Sequence, residues 1–339
     1  MTQKLQHFGI IGGGAWGTAL ALTLLRAGRA AILWARESDV VTGINAKREN
    51  TVYLPGITLD AKLKATTSLD DIVGCDAWIL VTPAQHLRAL CAQLRETLQQ
   101  KKIAGQAPVI IAAKGIEQST SSLLSEIVAA ELPGHPVAIL SGPSFASEVA
   151  KTQPAALTLA IADKALGENL LHAMASPSFR LYLTDDVIGA QIGGAVKNVL
   201  AVACGVIAGR AMGDNARAAL ITRGLAELIR LGVAMGGRAE TLMGLSGVGD
   251  LVLTCSSPQS RNMSLGMALG QGKALADILA SRSAVTEGVT TAAAALALAQ
   301  KHKIDMPIVA AVDAVVNKKT DIDAVIAGLL ARSLKIEHA

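Results

Sequence analysis

Phe8-Gly9-Ile10-Ile11-Gly12-Gly13-Gly14-Ala15-Trp16-Gly17-Thr18 carries an apolar run of strand length into a helical pattern through glycines spaced Gly-x-Gly-x-x-Gly. Each spaced glycine has its own task. Gly12 permits a tight turn, Gly14 lets a pyrophosphate approach the backbone, and Gly17 lets the helix expected over Thr18 to Ala27 lie close on the strand. The start of that helix offers free N–H groups and positive potential to an anion. The glycine string alone is a weak signal and also reads as a structural turn. With a strand before it and a helix after it, it points to a bound dinucleotide.

The alternation continues beyond this unit. His7 to Ile11, Ala30 to Trp34, Ala77 to Val81, Val109 to Ala113 and Val137 to Leu140 are compact apolar runs, separated by amphipathic segments such as Ala84 to Leu98 and Ser119 to Leu132. Further strands are expected at Ala155 to Ile161 and Arg180 to Leu183. Strand and helix in repeated alternation mean a parallel sheet covered on both faces. From about Val187 glycine-punctuated helical patterns take over: Ala216 to Met235, Ser260 to Leu269, Leu275 to Ala280, Thr290 to Lys301, Ile308 to Val316 and Asp321 to Ala331. The expected fold is α/β plus all-α: an N-terminal Rossmann-type parallel-sheet domain over 1–187, then an all-helical C-terminal domain over 188–339. No Pro/Gly/Ser-rich linker divides them, so they should pack directly around a cleft.

Composition narrows the function classes. Of the 339 residues, 51% are hydrophobic and only 2% aromatic, so the core must be built from tightly packed Ala, Leu, Ile and Val. A formal charge of +4, with dispersed basic residues, gives no stripe for nucleic acid. Cys75, Cys91, Cys204 and Cys255 lack Cys-x-x-Cys spacing and fall in apolar segments, as reduced structural thiols do. The six histidines are isolated from one another and from the cysteines, so no metal site is expected. Neither the run around Lys197 nor the alanine-rich Thr290 to Gln300 reads as a strongly apolar span of about 20 residues. Met1-Thr2-Gln3-Lys4 leads directly into an apolar strand without the pattern of a secretory signal. A cytoplasmic protein without a membrane span is expected.

The second strand ends Ile32-Leu33-Trp34-Ala35-Arg36, where an NAD-preferring fold usually has an acidic residue for the ribose 2′-hydroxyl. A guanidinium at Arg36 suits a 2′-phosphate, so NADP(H) is expected as the preferred cofactor and NAD(H) as the alternative. Glu37 and Asp39 lie close by, and an ordinary solvated arginine would look the same.

Lys197 is the only charged residue between Asp186 and Arg210. A lysine among apolar and small side chains loses hydration of its ammonium, which lowers its pKa toward the range of proton exchange. Snorkelling to water from the edge of a buried helix is the commoner fate of a lysine. Gly193, Gly194 and Asn198 beside it favour the reactive reading, because helical glycines cost about 1 kcal/mol each relative to alanine and suggest close approach to the backbone. Hydride transfer to a carbonyl carbon builds negative charge on oxygen, and a lysine of tuned pKa can supply the proton.

Three more clusters carry specific polar residues. Lys114-Gly115 and Ser141-Gly142-Pro143-Ser144-Phe145-Ala146 follow strands at the sheet edge where open α/β folds bind ligands. Leu245-Ser246-Gly247-Val248-Gly249-Asp250-Leu251 precedes Thr254-Cys255-Ser256-Ser257-Pro258-Gln259-Ser260-Arg261-Asn262, which reads as a helix start able to hold phosphate. Taken singly, each is as readily a turn or a cap.

Together these strings resemble the bacterial NAD(P)-dependent glycerol-3-phosphate dehydrogenases. The likeness runs through Gly12-Gly13-Gly14-Ala15-Trp16-Gly17-Thr18-Ala19, Tyr53-Leu54-Pro55-Gly56, Lys114-Gly115, Ser141 to Ala146, Gly193-Gly194-Ala195-Val196-Lys197-Asn198, Asn215 to Gly224, Gly249-Asp250-Leu251, Ser260-Arg261-Asn262 and Glu287-Gly288. It departs at Thr286, where many relatives are apolar, and Arg36 varies among them. The resemblance implies reversible reduction of dihydroxyacetone phosphate to sn-glycerol 3-phosphate, feeding glycerophospholipid synthesis, with Lys197 as general acid/base at the C2 oxygen. By the same resemblance Lys114, Gly142, Ser144, Asp250, Ser260, Arg261 and Asn262 bind substrate. Gly12, Gly14, Ala15, Trp16, Gly17, Arg36, Lys114, Ala146, Arg261, Val285 and Glu287 bind the cofactor. A homodimer is implied as well. Arg217 and Arg223 are expected to brace the cleft rather than act in it. Two rival readings are a Rossmann dehydrogenase acting on a sugar acid or keto acid, and a sensor of the nicotinamide pool that performs no chemistry.

Overall fold

The computed structural model of the chain describes residues 5–282 and 285–333; Met1-Thr2-Gln3-Lys4 and His338 lie outside the described residues. The first half forms strands β1 His7–Ile11, β2 Ala30–Trp34, β3 Lys64–Thr66, β4 Ala77–Leu80, β5 Val109–Ile111, β6 Val137–Ser141, β7 Ala155–Ala160 and β8 Phe179–Thr184. Helices α1 Ala15–Arg26, α2 Ser38–Thr42, α3 Leu87–Lys101, α4 Leu124–Glu131, α5 Ala146–Ala150 and α6 Lys164–Met174 alternate with them. One eight-stranded sheet results, in the order β3-β2-β1-β4-β5-β6-β7-β8. Apolar helix faces cover it: α3 turns Leu87, Leu90, Cys91, Leu94 and Leu98 inward at helical spacing. The central strand β4 is wholly buried, as a strand covered on both faces must be.

The observed sheet differs from the expected one in two respects. β3 is a three-residue strand at the edge, too short for an apolar run to announce it. β7 runs antiparallel to β6, with Leu140 opposite Leu159, so the sheet is mixed and β8 follows β7 in parallel. Alternation of apolar residues marks a strand but not its direction. Two helix starts also shift. α1 begins at Ala15 with Gly14 at its N-cap, so the glycine turn passes directly into the helix. α4 begins only at Leu124, after Ser121 adopts a φ of 57° and the Leu123 N–H donates to Glu126 Oε2 at 2.7 Å.

Beyond Val187 the described residues are helical: α7 Val187–Gly209, α8 Asp214–Ala234, α9 Ala239–Leu242, α10 Asp250–Ser256, α11 Arg261–Gly270, α12 Leu275–Ala280, α13 Glu287–Lys301, α14 Pro307–Val316 and α15 Ile322–Leu330. α7 is the axis of this half. The expectation that no segment is long and apolar enough for a membrane is corrected here: α7 is, with a mean hydropathy of 1.7, but 72% of that stretch is buried inside the protein. It is a core helix. Glycine lets α11 lie directly on it: a methyl on Gly205 would stand 2.1 Å from Met263 O, and one on Gly266 2.0 Å from Val202 O. Backbone touches backbone, which only glycine allows.

Candidate active site

The glycine turn is built as its spacing requires. Gly12 has a φ of 135°, its N–H donates to Trp34 O at 3.0 Å, and a methyl on Gly17 would stand 2.0 Å from Gly12 O. A methyl on Gly14 would meet nothing within 4 Å, so that face is open to an approaching anion. No side chain caps α1. Buried Asn50 pins the loop from behind, donating to Gly13 O and to Thr18 Oγ1, both at 2.8 Å. The Trp16 indole N–H is buried without a partner among the described residues. An uncapped helix start, an open glycine face and an unsatisfied donor together fit a dinucleotide. Arg36, just past β2, is 80% exposed and pairs with Glu37 at 3.3 Å.

Two lysines converge on one carboxylate. Asp250, at the first turn of α10 and 1% exposed, accepts from Lys197 Nζ on Oδ1 and from Lys114 Nζ on Oδ2, each at 2.6 Å. Lys197 Nζ also contacts Thr254 Oγ1 at 2.7 Å, and Lys114 Nζ donates to Gly142 O at 3.0 Å. Burial pulls the Lys197 pKa down to about 8; Asp250 opposes that shift, while neighbouring Lys114 assists it. The close approach expected at the paired glycines is present. A methyl on Gly193 would stand 2.4 Å from Ser246 O, and one on Gly194 2.7 Å from Ser141 Oγ. Thus α7 carries its lysine to the end of β6 and to the turn leading into α10.

The helix start expected at Ser260 is present. Ser260 caps α11, accepting from the Met263 N–H at 3.2 Å. Asn262 is locked on both sides: its amide N–H donates to Asn198 Oδ1 at 2.9 Å, and its oxygen accepts the Gly288 N–H at 2.9 Å. Arg261 is exposed, yet surrounding protein holds its pKa below the usual arginine value, with Glu287 opposing. Glu287 opens α13 and accepts the Ala84 N–H at 3.1 Å; burial raises its pKa, against Ala84 and Arg261. Ala146 begins α5, Val285 is exposed before α13, and the Ser144 hydroxyl donates to Gly142 O at 3.0 Å. Arg217 pairs with Asp214 at 2.8 Å.

Sequence reasoning gave no site role to three residues here: Thr254, which it quoted only within the helix-start string, Asn198 and Asn50. Thr254 follows Asp250 by four positions on a helix, a spacing that puts both on one face and could have flagged it. Asn50 lies in no motif.

The chain was compared with known proteins. The family model described as NAD-dependent glycerol-3-phosphate dehydrogenase N-terminus matches residues 7–167, and its C-terminus counterpart matches 186–327. A glycerol-3-phosphate dehydrogenase [NAD(P)+] of Parvibaculum lavamentivorans is 51% identical, over 99% of this chain and 100% of that one. One from Caulobacter vibrioides is 54% identical, over 98% and 99%. The crystal structure of glycerol-3-phosphate dehydrogenase from Coxiella burnetii superimposes with a TM-score of 0.92 at 39% identity, covering 97% of this chain and 100% of that one.

Proposed function

Because the chain belongs to the NAD-dependent glycerol-3-phosphate dehydrogenase family, we propose that it reversibly reduces dihydroxyacetone phosphate to sn-glycerol 3-phosphate in the cytoplasm, feeding glycerophospholipid synthesis. The division into a 1–187 cofactor part and a 188–339 catalytic part, and assembly as a homodimer, belong to the same reading. The chain is an NAD(P)-dependent oxidoreductase. When bound, the nicotinamide cofactor supplies the hydride that reaches C2. Lys197 donates the proton to the C2 oxygen and takes it back in the reverse direction. Asp250 fixes the Lys197 amine, and Lys114 shares that carboxylate at the strand end. Arg261, Asn262 and the capped start of α11 grip the phosphate, which orients the reacting carbon. Gly142 and Ser144 border the substrate. Gly12, Gly14, Ala15, Trp16 and Gly17 hold the pyrophosphate side, with Ala146, Val285 and Glu287 as further cofactor contacts. Arg36 favours a 2′-phosphate and hence NADP(H).

The single observation that carries this reading is the buried Lys197–Asp250–Lys114 bridge, which joins α7 and α10 to the end of β5. A nicotinamide sensor has no need of it. The test is NADPH oxidation with dihydroxyacetone phosphate and with unphosphorylated dihydroxyacetone. Turnover of the first, little of the second, and a loss of about 10²-fold or more in Lys197→Ala with NADPH affinity held within a few fold are expected. Equal turnover of both compounds removes the phosphate grip. NADPH binding without oxidation favours the sensor.

A further inference from the structure

The start of α13 holds three buried polar atoms that have no hydrogen-bond partner among the described residues: Thr286 Oγ1, Glu287 Oε2 and Thr291 Oγ1. Two of them lie beside one point without bonding each other. A methyl built on Gly115 would stand 3.3 Å from Glu287 Oε2 and 3.6 Å from Thr291 Oγ1, and would clash with Ala84 Cβ at 2.6 Å. Glu287 and Thr291 are four residues apart, so they occupy one face of α13. That face meets the Lys114-Gly115 strand end and the Ala84 N–H, which already holds Glu287 Oε1. A buried carboxylate oxygen left without a donor is costly, and so is a buried hydroxyl without an acceptor. Thr291 is the neighbouring donor with a freely rotating O–H.

We propose that Thr291 is a positioning residue for Glu287: its hydroxyl donates through one water to Oε2, and thereby fixes the carboxylate that contacts the nicotinamide cofactor. This rests on the reading of Glu287 as a cofactor residue. With both oxygens held, the carboxylate presents its remaining lone pairs in one orientation, and the cofactor meets a group whose ordering cost is already met.

The experiment measures the dissociation constant of NADPH by nucleotide fluorescence, alongside steady-state kinetics and thermal melting, in Thr291→Val, Thr291→Ser, Glu287→Ala and the double variant Glu287→Ala/Thr291→Val. Valine keeps the shape and removes the donor. The expected result is NADPH binding weakened about tenfold in Thr291→Val, the scale of one hydrogen bond to a charged group. KM for NADPH should rise with it, while kcat at saturating cofactor changes less than twofold. Serine should restore binding, and Thr291→Val should add nothing in the Glu287→Ala background. Unchanged affinity in Thr291→Val while Glu287→Ala weakens binding overturns the positioning role, as does an equal loss in both backgrounds. Unchanged affinity in Glu287→Ala overturns the reading of Glu287 itself. If Thr291→Val melts early, Thr291→Ser and the double variant decide, because a packing role gives a lower melting temperature without serine rescue of affinity.

Discussion

The Lys197 amine has three titratable neighbours, Asp250, Lys114 and Cys255, and their balance with burial sets its pKa near 8. As the proposed acid of ketone reduction it must carry its proton, so kcat/KM for reduction should fall about tenfold per pH unit above that value. Oxidation of the alcohol needs the neutral amine and should rise through the same pH. Asp250→Asn removes the carboxylate that favours the ammonium, so the break in the pH profile should move lower; an unmoved break detaches Asp250 from the amine. Arg36→Ala should bring the ratio of kcat/KM for NADPH over NADH down toward unity, and an unchanged ratio removes the 2′-phosphate contact. Lys197 was legible because it is the lone charge in an uncharged run and Lys114 because it ends a strand, whereas Asp250 and Glu287 were legible only through the resemblance. Thr254 and Asn50 were not: a threonine in an ordinary helical string takes its meaning from what faces it across two helices, and that depends on packing alone.

Among the elements, α14 depends on a buried acid. Glu227 of α8 accepts the Ile308 N–H at 2.8 Å and the Val309 N–H at 3.2 Å, so it serves the open N-terminus of α14. Burial nonetheless raises its pKa to about 7, with those two N–H groups and Arg230 opposing and Asp305 assisting. Between the ordinary glutamate value and about 7 the folded chain holds a proton that the unfolded chain has released. Stability from this group is therefore greatest at low pH and declines as pH rises through that window, by on the order of 3 kcal/mol. Melting at pH 5 and pH 8 should show that decline in the parent and a smaller one in Glu227→Gln; equal declines exclude Glu227 as its source. Elements were legible where periodicity was long, as in α3 and α13. β3 and the direction of β7 escaped because a three-residue strand has no period and strand direction depends on connections, not alternation.

At the scale of the whole molecule, the change of texture near Val187 was visible because strands and helices bury their apolar residues at different periods. How the two halves meet was legible only through the resemblance, which put Lys114, Asp250 and Glu287 into one site with Asp250 tuning the two lysines. Asp250 lies beyond α7 in sequence yet holds Lys114 from the sheet, and Glu287 reaches back from α13 to the Ala84 N–H after β4. The apolar length of α7, read from composition, is equally that of a membrane segment, and only its surroundings identify it as the core.

The glycine-on-glycine crossing of α7 and α11 also makes the molecule a gauge. Lys197 rides on one of these helices and Arg261 with Asn262 starts the other; bare backbone meets at Gly205 and Gly266, and the Asn198–Asn262 hydrogen bond ties the two nearer the site. The span from the amine to the start of α11 is thus held by backbone contact. If Lys197 and the start of α11 act as proposed, a ketone whose anion sits one carbon further away can satisfy one end or the other, and chain length is read by backbone before any chemistry begins.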